Sequence, residues 1–334
     1  MYSLHHTTWR TTRPSLQRLF GLTQTATQGL PRKGTPPQMP RRGGPIEKRA
    51  IPNVKKVLAV ASGKGGVGKS TIAVNLAFSL SLLRNSETSG RLRVGILDLD
   101  VFGPSVPTLM GLQRSGEPEL TPTGAIRPLT NHGLPSMSMG YLLPRPPDSD
   151  STDDVPVVWR GLMVQKAVQQ LLFDVDWTAS DGGPGLDVLV IDMPPGTGDV
   201  PLTLGQLVKV DGAVIVSTPQ DVALSDVRKG IAMLRKVSVP ITGMILNESH
   251  FICSSCTTPH YLFGPPSAFR ATAERLGIDI LAELPLVPGV SAGGDSGIPY
   301  SLVSEERRKD DGLGGSQWNA KMMDVADRVW KAVA

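Results

Sequence analysis

Gly63-Lys64-Gly65-Gly66-Val67-Gly68-Lys69-Ser70-Thr71 satisfies the phosphate-binding loop pattern, two glycine-bracketed turns ending in Lys-Ser. Its context fits: residues 56–62, with Val57, Leu58 and Val60, read as a short buried strand, and residues 70–83 as a helix. Glycines let the backbone close around phosphate oxygens, and the free N–H groups at the start of the following helix point at the same charge. Lys69 is expected to reach the β- and γ-phosphates of a nucleoside triphosphate, and Ser70 to give its hydroxyl to Mg²⁺. Thr71 supports the loop. Lys64 adds a second lysine inside the loop; a second phosphate contact and a solvated surface charge are both open to it.

Outward from this loop, short apolar runs alternate with helical spacing. Strands are expected at residues 93–97, 136–141, 187–191, 213–216, 241–246 and 280–284. Helices are expected at 160–173, 221–236, 267–276 and 322–333. This is an α/β pattern: a mainly parallel sheet with helices on both faces, which places ligands at the carboxyl ends of its strands. Carboxylates stand at those ends. Asp98-Leu99-Asp100 follows one strand, and Asp192 closes another before Met193-Pro194-Pro195-Gly196-Thr197-Gly198-Asp199. Asp192 suits the Mg²⁺ site and Asp100 the positioning of an attacking water; Asp98 suits either, and strand-end capping is the plain alternative for each. Gly196 and Gly198 would let the second loop move when the γ-phosphate leaves. Asn247 ends a strand where a base could lie, so an adenine contact and a turn closure are both open.

The chain of 334 residues carries a net charge of +4, too little to argue for a nucleic-acid partner, and has no apolar run long enough to span a membrane. The positive excess is concentrated. Residues 1–46 hold no Asp or Glu but do hold Arg10, Arg13, Arg18, Arg32, Lys33, Arg41 and Arg42 among many Thr, Ser and Gln. That composition reads as a mitochondrial targeting segment, with a disordered basic tail as the alternative. The expected division is therefore residues 1–50 as transit segment and linker, and 51–334 as one nucleotide-binding domain. Residues 144–154, 177–184 and 304–315 read as surface insertions.

The chain has two cysteines, Cys253 and Cys256, shortly after Asn247. At this spacing they suit a soft metal centre, a redox dithiol or inert thiols. Zn²⁺ sites and [4Fe–4S] clusters commonly take four protein ligands, and a symmetric dimer supplies four cysteines from two copies. His250 and His260 leave a single-chain Zn²⁺ site open, but solvated loop histidines are the simpler expectation.

Six stretches together resemble the Mrp/Nbp35 group of iron–sulfur carrier P-loop ATPases, and its mitochondrial Ind1/NUBPL branch in particular. They are Ala61-Ser62 with the phosphate loop, Gly133-Leu134-Pro135-Ser136-Met137-Ser138-Met139-Gly140, Val158-Trp159-Arg160-Gly161-Leu162-Met163, Ile191–Asp199, Phe251-Ile252-Cys253-Ser254-Ser255-Cys256, and Phe263-Gly264. The resemblance covers about residues 51–330 and implies a deviant Walker A (SIMIBI) fold. It implies ATP as the nucleotide, with Lys64 reaching a partner's nucleotide across a homodimer. It implies Asp100 as the switch I carboxylate and Asp192 as the Mg²⁺-associated one. Cys253 and Cys256 are then ligands of a labile, subunit-bridging [4Fe–4S] cluster, passed to apoproteins of respiratory complex I in the matrix, with weak ATP hydrolysis coupled to the transfer. Glu248 stands where the family often has methionine and Ser254 where it often has proline, and the N-terminal cysteine cluster of cytosolic relatives is not present. A ParA/MinD-like nucleotide-switch ATPase shares Lys64 and the aspartates but does not need the cysteine pair.

Overall fold

The computed structural model describes residues 47–85, 90–142, 161–178 and 183–334. The basic segment 1–46, the excursion 144–154 and the Val158-Trp159-Arg160 part of one motif lie outside the described residues.

Along the chain run β1 (Val54–Ser62), α1 (Lys69–Leu82), β2 (Val94–Asp98), the short α2 (Val106–Leu109), β3 (Leu129–Asn131), β4 (Leu134–Ser138), α3 (Gly161–Phe173), β5 (Leu186–Asp192), α4 (Asp199–Leu207), β6 (Gly212–Ser217), α5 (Asp221–Lys236), β7 (Ile241–Leu246), the two-residue strands β8 (Phe251–Ile252) and β9 (Pro259–His260), α6 (Ser267–Leu276), β10 (Ile280–Glu283), α7 (Pro288–Asp295), α8 (Glu305–Arg308) and α9 (Gly312–Val333). The large sheet has the order β10-β7-β6-β1-β5-β2-β4-β3. All pairs in it are parallel except β3 with β4.

The central strands are buried on both faces, so they read as unbroken apolar runs rather than alternating ones. Val57–Val60 in β1, all of β2, β5 and β6 are buried. The helix α1 is apolar nearly all round because it lies between the sheet and α9. On α9, Trp318, Met322, Val325, Ala326, Val329 and Val333 form the buried stripe. Register fixes the site: Asp98 and Val60 both lie opposite Asp192, so the ends of β2 and β5 meet level with Val60, and β1 runs two residues further into the nucleotide loop. Asp98 and Asp192 are fully buried there.

The expected α/β architecture is the observed one. Several expectations need correction. Residues 304–315 are not a surface insertion: α8 and the first turn of α9 occupy them, with Gly314 and Gly315 buried. Trp177 is 1% exposed, a core residue against Gly95 of β2 rather than part of a surface loop. The helices α4 and α7 and the edge strand β3 escaped the periodicity reading because each is short and interrupted by proline, glycine or polar residues. Among the described residues no helix is long and apolar enough to cross a membrane.

Candidate functional site

The loop between β1 and α1 turns through two left-handed glycines, Gly66 at φ 75° and Gly68 at φ 77°. As N-cap of α1, Gly68 brings no side-chain acceptor to the first-turn N–H groups, which are left for an anion. Ser62 Oγ donates to the Lys64 carbonyl at 2.9 Å and shapes the first half of the loop. Lys64 itself stands exposed at the rim. From behind, Asn247 Nδ2 donates to the Val67 carbonyl at 3.0 Å. Asn247 is buried, and its amide nitrogen is bonded to the loop itself. It braces the phosphate loop from β7, a role that neither the adenine contact nor the turn closure anticipated.

Lys69 is buried, with Nζ 2.6 Å from Asp192 Oδ1 and 3.1 Å from Ser70 Oγ. The structure therefore brings Lys69, Ser70 and Asp192 together as the sequence suggested. Asp192 Oδ2 is buried and has no hydrogen-bond partner among the described residues. A buried carboxylate oxygen left without a donor is costly unless a cation or its waters take it. With the Ser70 hydroxyl alongside, this donor set fits Mg²⁺, a hard cation that takes oxygen ligands. Burial pushes Asp192 above the usual carboxylate range, against the opposing charge of Lys69.

Asp98 serves the neighbouring loop instead. It accepts from Asp100 N at 2.9 Å, Val106 N at 3.2 Å and Ser138 Oγ at 3.1 Å. Burial, and then the negative charge of Asp192, push its pKa up to about 7. These bonds pin both ends of residues 100–106, which carry half-buried Asp100 beside the nucleotide loop. Burial raises Asp100 as well, with Lys69 pulling the other way. Ser138 holds Asp98 while taking a bond from Gly140 N at 3.1 Å.

The cysteine pair sits on the turn joining β8 and β9. Thr257 N donates to the Cys253 carbonyl at 2.9 Å, Cys253 N to the Thr258 carbonyl at 3.2 Å, and Thr257 adopts φ 58° to close the turn. Cys253 is half-buried and Cys256 exposed. Hydrogen bonding by Thr258, then by His260, pulls the Cys256 thiol down to about 6. His260 is exposed, as the sequence suggested, with Nε2 3.9 Å from Cys256 Sγ. One donor atom from each of Cys253, Cys256 and His260 falls within 4.8 Å of the others. His250 stays apart, half-buried, with Nδ1 2.7 Å from Ser249 Oγ. Its pKa is lowered by burial and then by Lys321. Residue spacing left His250 and His260 equally open, because the choice depends on the cross-strand register Phe251↔His260 of two very short strands.

A family model described as ParA, NUBPL iron-transfer P-loop NTPase, matches residues 53–316. The mouse iron-sulfur cluster transfer protein NUBPL is 47% identical over 262 residues, 78% of this chain and 75% of that protein. An Arabidopsis thaliana iron-sulfur protein required for NADH dehydrogenase, mitochondrial, is 44% identical over 291 residues, 87% of this chain and 83% of that one. Among solved structures, a nucleotide-binding protein of Archaeoglobus fulgidus in complex with ADP superimposes with a TM-score of 0.58. It is 33% identical, covering 73% of this chain and 87% of its own.

Proposed function

We propose that this chain, which belongs to the NUBPL iron-transfer P-loop NTPase family, is an ATP-dependent carrier of a labile [4Fe–4S] cluster held by Cys253 and Cys256 across a homodimer. The observation that carries this reading is the pairing, on one domain, of a complete nucleotide loop with two free cysteines, one half-buried and one exposed, a few residues beyond the strand end that braces it. The recipients are apoproteins of mitochondrial respiratory complex I. The Arabidopsis relative's requirement for NADH dehydrogenase supports that assignment. The acid-free residues 1–46 serve as the transit segment to the matrix, and the ATPase domain begins near residue 51.

In this reading ATP is turned over slowly. Lys69 would exchange Asp192 for the β- and γ-phosphates, and Ser70 and Asp192 would hold Mg²⁺, which would neutralise phosphate charge. Asp100, on the loop pinned by Asp98, orients the attacking water. Lys64, exposed at the rim, contacts the nucleotide of the second copy. The cluster is cargo, so an exposed loop suits its loading and release.

Anaerobic reconstitution with iron and sulfide tests the proposal, read by chemical analysis and Mössbauer spectroscopy beside the Cys253→Ala/Cys256→Ala variant. About four Fe and four sulfide per dimer, lost in the variant, are expected. A folded, ATP-binding protein with no cysteine-dependent cluster would leave the ParA/MinD-like nucleotide switch as the better account.

A further inference from the structure

We infer that His260 completes a three-donor Cys253–Cys256–His260 site within each single chain, which takes one divalent cation of the zinc or ferrous class without a second copy. The inference shares the cysteine loop with the carrier reading but differs in ligand set and stoichiometry.

The hairpin builds the set. Phe251 pairs with His260 across β8 and β9, and Cys253 lies two residues beyond Phe251. Side chains two apart project from one face of a strand, so Cys253 and His260 are diagonal neighbours on the same face. The bonds between residues 253 and 257 and between 253 and 258 then fold Cys256 back over that face. The observed Cys256 Sγ to His260 Nε2 distance is 3.9 Å. Metal–sulfur bonds of about 2.3 Å and metal–nitrogen bonds of about 2.0 Å at a tetrahedral angle require S···N of ~3.5 Å and S···S of ~3.8 Å. All three donors already lie within 4.8 Å of one another, so closure shortens each separation by at most about 1.3 Å. Two soft thiolates and one imidazole suit Zn²⁺ or Fe²⁺, and the fourth position faces solvent because Cys256 and His260 are exposed. Three ligands with an open position describe a site whose metal can take a further ligand from solution, rather than a closed structural one.

Cobalt(II) serves as the probe, titrated anaerobically into the full chain with its mass in solution followed by light scattering. The expectation is one Co²⁺ per monomer, with thiolate charge-transfer absorption and the intense d–d bands of tetrahedral coordination. His260→Ala should weaken binding by about tenfold or more and change the d–d pattern while the thiolate band persists. His260→Cys should restore the affinity and raise the charge-transfer intensity by about half, as three thiolates replace two. One Co²⁺ per two chains, unchanged affinity in His260→Ala, or binding that survives Cys253→Ala/Cys256→Ala would each overturn the inference. Iron–sulfide reconstitution of the same proteins separates the two ideas. A cysteine-dependent cluster in a chain whose cobalt binding ignores His260 sinks this inference alone. One-to-one, His260-dependent cobalt binding without any cluster sinks the carrier reading alone.

Discussion

A methyl group at position 68 would meet the amide nitrogen of Asn247, and φ 77° there is strained for any side chain. Gly68→Ala therefore costs about 1 kcal/mol of backbone strain and a further ~1 kcal/mol from displacing the amide from Val67. We predict a loss of about 2 kcal/mol in urea unfolding and an ATP affinity lowered at least about tenfold. Gly66 has a similar φ but open space around it, so Gly66→Ala should show only the backbone part. At Cys256 the hydrogen bonds of Thr258 and His260 favour the thiolate. Iodoacetamide modification of the metal-free chain should rise through a midpoint near 6, and Thr258→Val should move that midpoint toward the ordinary thiol range. Asp187 is almost fully buried at the opposite end of β5, bonded by Arg93 Nη2 at 2.8 Å and paired with Lys55 at 3.1 Å. Burial alone would raise its pKa, but the bonds from Arg93 and Lys55 override burial and hold it far below the usual range. A depressed folded pKa contributes stability above the unfolded value of about 3.9 and loses it as the pH falls further. Asp187→Asn should thus lower the Tm at pH 7, and calorimetry should show the gap closing as the pH drops below about 4. A gap that stayed constant would mean that the ion pair contributes nothing.

Among the elements, α9 shows how packing overrules local preference. Trp318 is buried edge-to-face on Tyr300 at 5.4 Å, and the Tyr300 hydroxyl donates to Asp311 at 2.8 Å, just ahead of the helix. Trp318→Ala should cost about 3–5 kcal/mol in denaturant unfolding, while nucleotide affinity measured in the folded range changes little. The second half of α9 was legible because Met322, Val325, Ala326 and Val329 make an apolar stripe at helical spacing. The first half was not, because Gly312, Gly314 and Gly315 are poor helix formers. The structure needs the glycine at 315: a side chain there would strike the Tyr300 hydroxyl and the Arg308 carbonyl. Trp177 misled in the same way, its burial against β2 hidden by the polar, glycine-rich residues after it. At the site, Lys69, Ser70 and Asp192 were legible because motif and strand ends sufficed to place them. Asn247 and His260 depend on which strands lie side by side, and that is information of topology rather than of spacing.

At the scale of the whole molecule, the two sites are joined by one stretch of chain. Asn247 bonds the nucleotide loop through its side chain and β6 through its N–H, 2.8 Å from the Ser217 carbonyl. Glu248 then turns through φ 53°. Ser249 N at 2.9 Å donates to the Leu284 carbonyl, and the His250 carbonyl accepts from Leu286 N at 2.7 Å, so this stretch is clamped against the end of β10 and the residues after it. The cysteine turn follows immediately in the sequence. A nucleotide that drew Lys69 off Asp192 would shift the loop that Asn247 holds, and the clamped stretch would pass that shift to the hairpin. Such coupling is physical only if the two nucleotide states differ in free energy at the second site. We predict that saturating Mg-ATP changes the rate of cysteine modification by about fivefold or more, the range of ordinary site-to-site coupling, and that Asn247→Ala reduces the effect below about twofold. Saturation matters, since the variant will bind ATP more weakly and an unfilled site would imitate uncoupling. Stopped-flow alkylation with and without nucleotide provides the measurement. An undiminished ATP effect in Asn247→Ala would remove Asn247 from the path. Linkage adds an independent check: metal bound at the cysteine turn must shift the ATP affinity of the wild-type chain by the same factor by which ATP shifts the affinity for that metal, and both shifts must vanish together in the variant.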